Sequence, residues 1–324
     1  MRNPSEGMVE MMNNLIFIIN PQAKNGYSQK VWRQVKRELD NTHIAYTEFF
    51  TQHRGHATTL TETIKRENTK SRIAIIVIGG DGTLHEVING AIDNDNIYIG
   101  FIPAGSGNDF MRGYRIPKDP IKAFHHILKL LDEFPTRVDA GEIVDENSKK
   151  TFFINNMGAG FDALITKEAN DSPLKRILNK FSLGNLIYAY FVIMKVFSFK
   201  RSDIIVTIDG KANHYKDAWF VTVSNQPYYG GGMKISPQAS VLDGELNVTI
   251  VHQLSRLKFL MVFITVFWGS HVRFKEVKNL IGKDISITST DPLFVHADGE
   301  HIGQTPIRIR TLPRVLPILT KEIE

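Results

Sequence analysis

Apolar residues fall in two textures along this chain of 324 residues. In the N-terminal third they form short runs: LIFIIN at 15–20, the more mixed AYTEFF at 45–50, IAIIVIGG at 73–80 and IYIGFIPAG at 97–105. All four read as strands, and IAIIVIGG is too uniformly apolar to have a wet face. Between them the apolar residues recur at helical spacing. SQKVWRQVKRELD puts Val31, Val35 and Leu39 on one face, and HATTLTETIKREN reads as a second helix. From Thr83 through Ile92, Leu84, Val87, Ile88, Ala91 and Ile92 share a third helical face, with Thr83 as the expected N-cap. Alternating strands and helices of this kind predict a parallel sheet covered on both sides.

After about Val138 the period changes to two. DIIVTIDG, AWFVTVSN, GELNVTIV, DISITS and PIRIRTL alternate apolar and polar positions, and the pairs Asp209-Gly210, Asp243-Gly244 and Asp298-Gly299 punctuate them. Asp-Gly between alternating runs is hairpin chemistry, so the second half reads as an antiparallel β domain. The fold class is therefore α/β plus β, in two domains, with no internal repeat or low-complexity tract.

Composition changes this picture little. The chain is 42% hydrophobic and 23% charged, an ordinary globular balance. It has no cysteine, which excludes disulfides and thiolate metal sites and is compatible with a reducing compartment. The leading MRNPSEGMVEMMNN has no apolar core, so it is expected to be a loose leader and not a signal peptide. A net charge of +5 permits anionic partners without selecting one.

No apolar run reaches the roughly 18 residues of a membrane span. LGNLIYAYFVIM before Lys195 and FLMVFITVFWG at 259–269 come nearest, and both are flanked by basic residues. Lys175, Arg176, Lys180, Lys195, Lys200 and Arg201 surround the first; Arg256, Lys258, Arg273 and Lys275 surround the second. Either these are buried helices with solvated ends, or they touch an anionic membrane from outside. The scattered histidines, including His53, His56, His125 and His126, have no metal-site spacing.

The candidate chemistry lies in three loops. Gly79-Gly80-Asp81-Gly82-Thr83 joins an apolar strand to a helix, where close backbone approach and a helix N-terminus suit a phosphate. Asp81 is the oddity, because a carboxylate repels phosphate unless a metal intervenes. Pro103-Ala104-Gly105-Ser106-Gly107-Asn108-Asp109-Phe110 follows the next strand, and Asn20 through Gly26 follows the first. Three loops at strand C-termini line one crevice of a parallel sheet and predict a nucleotide site. P-loop, dinucleotide-binding GxGxxG and protein-kinase motifs are absent.

GGDGTLHEVING, PAGSGNDF, NNMGAGFDA, VLDGELNV and FVHADGEHIG occur in the order seen in the diacylglycerol kinase-like lipid kinases, and from about Asn13 onward the chain resembles that family. The resemblance implies an α/β ATP-binding domain over 13–138, to which a segment at about 306–324 returns, and a β-sandwich lipid-substrate domain over 139–305, with ATP in the cleft. It implies nucleotide contacts at Asn20, Thr51, Gly79, Gly80, Asp81, Gly82, Thr83, Leu84, His85, Glu86, Ser106, Asn108 and Asp109. His85 stands where asparagine is common, and Ser106 where threonine is. Asp81, Asp109 and Asp139 match aspartates of a magnesium-linked water network. Asp243 matches a structural Mg²⁺ ligand, with backbone oxygens of Ser240 and Glu245 beside it. Glu300 matches the general base, so Glu300 and Asp81 are the catalytic candidates.

The expected activity is ATP- and Mg²⁺-dependent phosphorylation of a membrane lipid, diacylglycerol first, by a cytoplasmic enzyme that visits an anionic membrane. A sphingoid lipid or a soluble acceptor of the NAD type is an alternative, as is a non-catalytic nucleotide-binding regulator. No nucleic-acid partner is expected, and exposed β edges are compatible with a homodimer.

Overall fold

The computed structural model describes residues 15–42, 44–69, 71–131, 133–172 and 186–321. The chain divides into two compact units, Met1–Val138 with Arg314–Glu324, and Asp139–Pro313.

The first unit is built on β1 (Leu15–Ile19), β2 (Tyr46–Phe50), β3 (Ile73–Gly79) and β4 (Ile97–Pro103), in the order β2-β1-β3-β4 and all parallel. β3 and β4 are buried along their whole length, as continuous apolar runs require when helices cover both faces. On one face α1 (Tyr27–Thr42) sets Val31, Trp32, Val35 and Leu39 against Phe17, Ile76 and Ile78. The remaining helices are α2 (His56–Glu67), α3 (Asp81–Ala91), α4 (Asp109–Gly113) and α5 (Pro120–Leu130).

The parallel register sets the level of the loops. Ile19 pairs with Ile78, and Ile78 with Ile102. The connections leaving β1, β3 and β4 therefore depart at one edge of the sheet. The chain goes from β1 outward to β2 and then crosses to β3 on the other side. Such a reversal opens a crevice at the strand C-termini.

The helix expected from Thr83 begins two residues earlier. Its N-cap is Gly80, in an extended conformation without a side-chain cap, and Thr83 lies inside the first turn. The Thr83 hydroxyl is engaged elsewhere: it accepts from Asn20 Nδ2 at 3.0 Å.

The second unit takes up β5 (Thr136–Asp145) from its fourth residue on, then β6 (Lys150–Phe153), β7 (Asn156–Gly160), α6 (Phe161–Asp171) and α7 (Leu186–Lys195). β8 (Ser202–Ile208), β9 (Lys211–Ser224), β10 (Leu246–His252) and α8 (Arg256–Thr265) follow. β11 (Val277–Gly282), β12 (Asp284–Ser289), β13 (Phe294–Ala297), β14 (Glu300–Gln304) and β15 (Ile307–Ile318) complete it. The main strand order is β14-β13-β7-β9-β8-β12-β15, with β10 pairing β9 and β11. These pairings are antiparallel. Met157, Val206, Val221, Val248, Ile285, Val295 and Ile309 meet in the sandwich-like core.

β15 moves the expected return point. Ile307 through Arg310 still pair with Ile287 through Asp284 of β12, and Ile307 and Ile309 lie in the second core. The segment belonging to the first unit starts at Arg314, not near 306, and Ile318 pairs with Ile99 of β4.

The two apolar segments are not simply buried. Lys175, Arg176, Lys180 and the start of LGNLIYAYFVIM lie outside the described residues. α7 buries Val192 but exposes Ile193 and Met194, and α8 buries Phe259 and Val262 while exposing Leu257, Met261 and Ile264. Lys195, Lys200 and Arg201 are paired with Glu168, Asp291 and Asp217, so the first segment's described basic flank is neutralised within the unit.

Candidate active site

In the first unit the three loops are fastened to one another. Ala104 N donates to Gly79 O at 2.7 Å and Asn20 N to Ile78 O at 3.0 Å, which continues the parallel ladder past the strand ends. A Cβ on Gly105 would lie 2.4 Å from the Cα of Gly80, so these two backbones touch only because both residues are glycine. Asn108, in the left-handed region at φ 54°, closes the third loop: its Oδ1 accepts from Gly105 N and its Nδ2 donates to Gly105 O.

Asp81 is the clamp between the loops. Its Oδ2 accepts from Asp109 N at 3.0 Å and its Oδ1 from Phe110 N at 3.1 Å. The carboxylate thus caps the N-terminus of α4, and its negative charge suits the positive end of that helix. Asp109 pairs in turn with Arg112 at 2.9 Å, and the same guanidinium donates to Gly107 O.

The other sequence candidates separate by environment. Ser106 is exposed on the loop, and Asn20 and Thr51 are half-buried. The Leu84 side chain is wholly in the core, and those of Thr83 and His85 are buried. Glu86 accepts from Gly55 N at 2.8 Å and from Ala57 N at 3.1 Å, and so caps α2. Both its oxygens are occupied by backbone, so it anchors the RGHA turn that follows Thr51.

In the second unit Asp139 is fully buried, and its Oδ2 accepts from Gly244 N at 2.6 Å. The Asp243 carboxyl is pushed above its ordinary range, first by burial and then by the charges of Asp139 and Glu245. Its Oδ1 accepts from Glu245 N at 3.0 Å, and Ser240 Oγ accepts from Leu242 N. Among the described residues no three carboxylate or imidazole side chains are grouped to hold a metal. A hard cation that keeps its waters needs only one or two carboxylates plus carbonyl oxygens, and an all-oxygen corner with unfavourably crowded negative charge fits Mg²⁺. The Asp243-Gly244 pair is no hairpin turn: no strand precedes it, and the loop folds back on Asp139.

Glu300 begins β14, directly after the turn Asp298-Gly299, whose φ values of 47° and 86° give the doubly left-handed geometry of a tight hairpin. The turn is fastened on two sides. Asp298 accepts from the amides of Ile154, Asn155 and Asn156 at 3.0, 2.8 and 3.1 Å. Asn170 of α6 donates to Gly299 O at 2.8 Å. Beneath lies His296: its Nδ1 accepts from Gly299 N at 3.3 Å and its Nε2 sits 3.5 Å from Asp162 Oδ2. The sequence marks Glu300 but not these supports. Asp298 looks like a plain turn residue, and its three acceptor bonds reach 142 to 144 positions along the chain.

Comparison with known proteins agrees with this layout. The diacylglycerol kinase catalytic domain model matches residues 14–143, and the YegS C-terminal NAD kinase beta sandwich-like domain model matches residues 155–320. A Bacillus subtilis protein named "Putative lipid kinase YtlR" is 35% identical over 95% of this chain and 100% of its own. A Mycobacterium tuberculosis diacylglycerol kinase is 30% identical over 77% of each chain. A crystal structure of a Bacillus anthracis diacylglycerol kinase superposes with a TM-score of 0.69 over 95% of this chain and 97% of that one; at 20% identity it speaks for the fold. With both halves matched, and relatives of this identity named for lipid phosphorylation, the chain belongs to the diacylglycerol kinase-like family and is a lipid kinase.

Proposed function

We propose that the enzyme transfers the γ-phosphoryl group of ATP to the free hydroxyl of diacylglycerol, giving phosphatidic acid and ADP. The observation that carries the nucleotide half of this reading is the contact of Gly80 with Gly105 beside the N-terminus of α3. Two loops that exclude any side chain leave their backbone to meet phosphate oxygens. The relatives named diacylglycerol kinase support the acceptor.

In this reading Asn20, Thr51, Ser106, Asn108 and Asp109, with the backbone from Gly79 through His85, bind the nucleotide. Glu86 holds the turn after Thr51, and Asp81 keeps the loops in register. Glu300 takes the proton from the acceptor hydroxyl. That oxygen forms a bond to the γ-phosphorus as the bond to the β-phosphate oxygen breaks. Asp243, with backbone oxygens of Ser240 and Glu245, would hold Mg²⁺ as a structural ion, and Asp139, which accepts from Gly244 N, supports that corner. Mg²⁺ on the nucleotide would supply charge stabilisation, the main demand of phosphoryl transfer. Asp298 and Asn170 fix the turn that leads directly into Glu300, so the base does not have to be ordered during the reaction.

The test offers γ-labelled ATP and Mg²⁺ with micelles containing diacylglycerol, a sphingoid base, or neither. Labelled phosphatidic acid in the first alone is expected. Label in the sphingoid product instead would reassign the acceptor.

A further inference from the structure

The outward face of α8 does not match its surroundings. Phe259, Val262 and, just past its end, Val266 are buried in the cluster that also holds Phe161, Val192 and Trp219. The opposite side of a surface helix is normally polar. Here it carries Leu257, Met261 and Ile264, and the turn that follows adds Phe267 and Trp268; all five are between 52% and 72% exposed. The spacing of four, three and then three or four residues keeps them on one helical face. An exposed apolar row of this kind marks a docking surface.

Charge says what docks there. No acidic residue lies between Glu245 and Glu276, whereas Arg256, Lys258, Arg273 and Lys275 do. Lys258 is paired with Glu276, but Arg256, Arg273 and Lys275 are exposed at the two ends of the apolar row. Two of the cations stand in the first turn of α8, where the helix dipole disfavours positive charge. A second copy of this chain would meet the patch with its own patch, cation against cation. An anionic bilayer offers hydrocarbon to the row and phosphates to its basic ends, and Trp268 is of the type that settles at that boundary.

We propose that α8 and the turn through Trp268 insert into the interfacial region of an anionic membrane, with Arg256, Arg273 and Lys275 on lipid phosphates. The proposal deepens the lipid-kinase reading, on which it rests, by naming the surface through which the enzyme meets a bilayer.

Trp268 supplies its own reporter. The chain has three tryptophans, and the other two, Trp32 and Trp219, are buried. Vesicles of phosphatidylcholine with phosphatidylglycerol should shift the wild-type emission to the blue and carry the protein down on centrifugation; vesicles of phosphatidylcholine alone should do so far more weakly. The exposed-site variant Met261→Glu/Ile264→Glu should lose about tenfold or more of this partitioning, with an unchanged melting temperature. It should still phosphorylate dispersed short-chain diacylglycerol while losing activity on vesicles. Vesicle binding by a wild type that phosphorylates no lipid would uphold the docking surface and overturn the acceptor assignment alone. Absence of the blue shift, or equal partitioning by the variant, would overturn the docking surface. A concentration-dependent dimer abolished by the same substitutions, with no vesicle binding, would overturn it in favour of a second copy.

Discussion

Asp81 repays attention at the scale of single residues, because its type looks wrong for a phosphate loop. Its carboxylate accepts two backbone N–H groups at the start of α4. Asp81→Ala would orphan both, a cost of about 1–3 kcal/mol when buried donors lose a charged acceptor. Denaturant unfolding should register that loss, and calorimetric titration should show weaker nucleotide binding, because the third loop is no longer held to the second. Asp81→Asn, which keeps one acceptor oxygen, should fall between the two. The sequence raises the question about Asp81 but does not contain the answer: the partners lie 28 and 29 residues away and become neighbours only through the register of β3 with β4. Glu86 has the same history. As part of a motif it reads as a nucleotide contact, and its two bonds to the start of α2 add an anchoring role that the motif does not announce.

Elements were legible where their pattern is periodic. β1, β3 and β4 follow from apolar runs, because burial on both faces leaves no other pattern, and α1, α2 and α3 follow from helical spacing; the edge strand β2 is only partly buried and its run is correspondingly mixed. β7 was not legible. NMGAG has two glycines and little β propensity, yet it lies buried between β9 and β13. Gly158 explains the composition: a Cβ there would stand 1.8 Å from Asp162 Oδ2 and 2.7 Å from His296 Nε2. The start of α3 was misplaced for a related reason, since a glycine N-cap leaves no side-chain signal. Loop contact supplies the prediction at this scale. Gly105→Ala would push a methyl group into the Gly80 backbone, which has no rotamer with which to yield. Nucleotide affinity should fall about tenfold or more, some 1.4 kcal/mol, in the same titration. Exposed Ser106→Ala next to it should leave the fold unperturbed.

Acid should weaken the molecule as a whole in two steps. Burial holds His271 below the ordinary histidine value of 6.5, and His252 and His126 are lowered for the same first reason. The unfolded chain therefore binds more protons, so stability is full above pH 6.5 and declines as pH falls through that value toward the folded-state values. Glu142 acts at lower pH. Burial pushes its carboxyl up, but hydrogen bonds from Arg310 and Lys150 outweigh burial and hold it below 4.5. Its contribution is lost as pH falls below 4.5. Melting temperatures measured from pH 7.5 to 5.5 should decline, and His271→Gln, which keeps a donor for Ile235 O, should decline less steeply. Glu142 joins β5 to β15 through Arg310, a pairing that no local pattern announces.

Whether Glu300 on its fastened hairpin is the base of an ATP-dependent lipid kinase is decided by one comparison. Wild type and Glu300→Gln are assayed for transfer from γ-labelled ATP to diacylglycerol, with ATP affinity measured on both. Equal ATP binding and a rate lower by about 10²–10⁴ in the variant are expected. Equal rates would contradict that role and remove Glu300 from the chemistry.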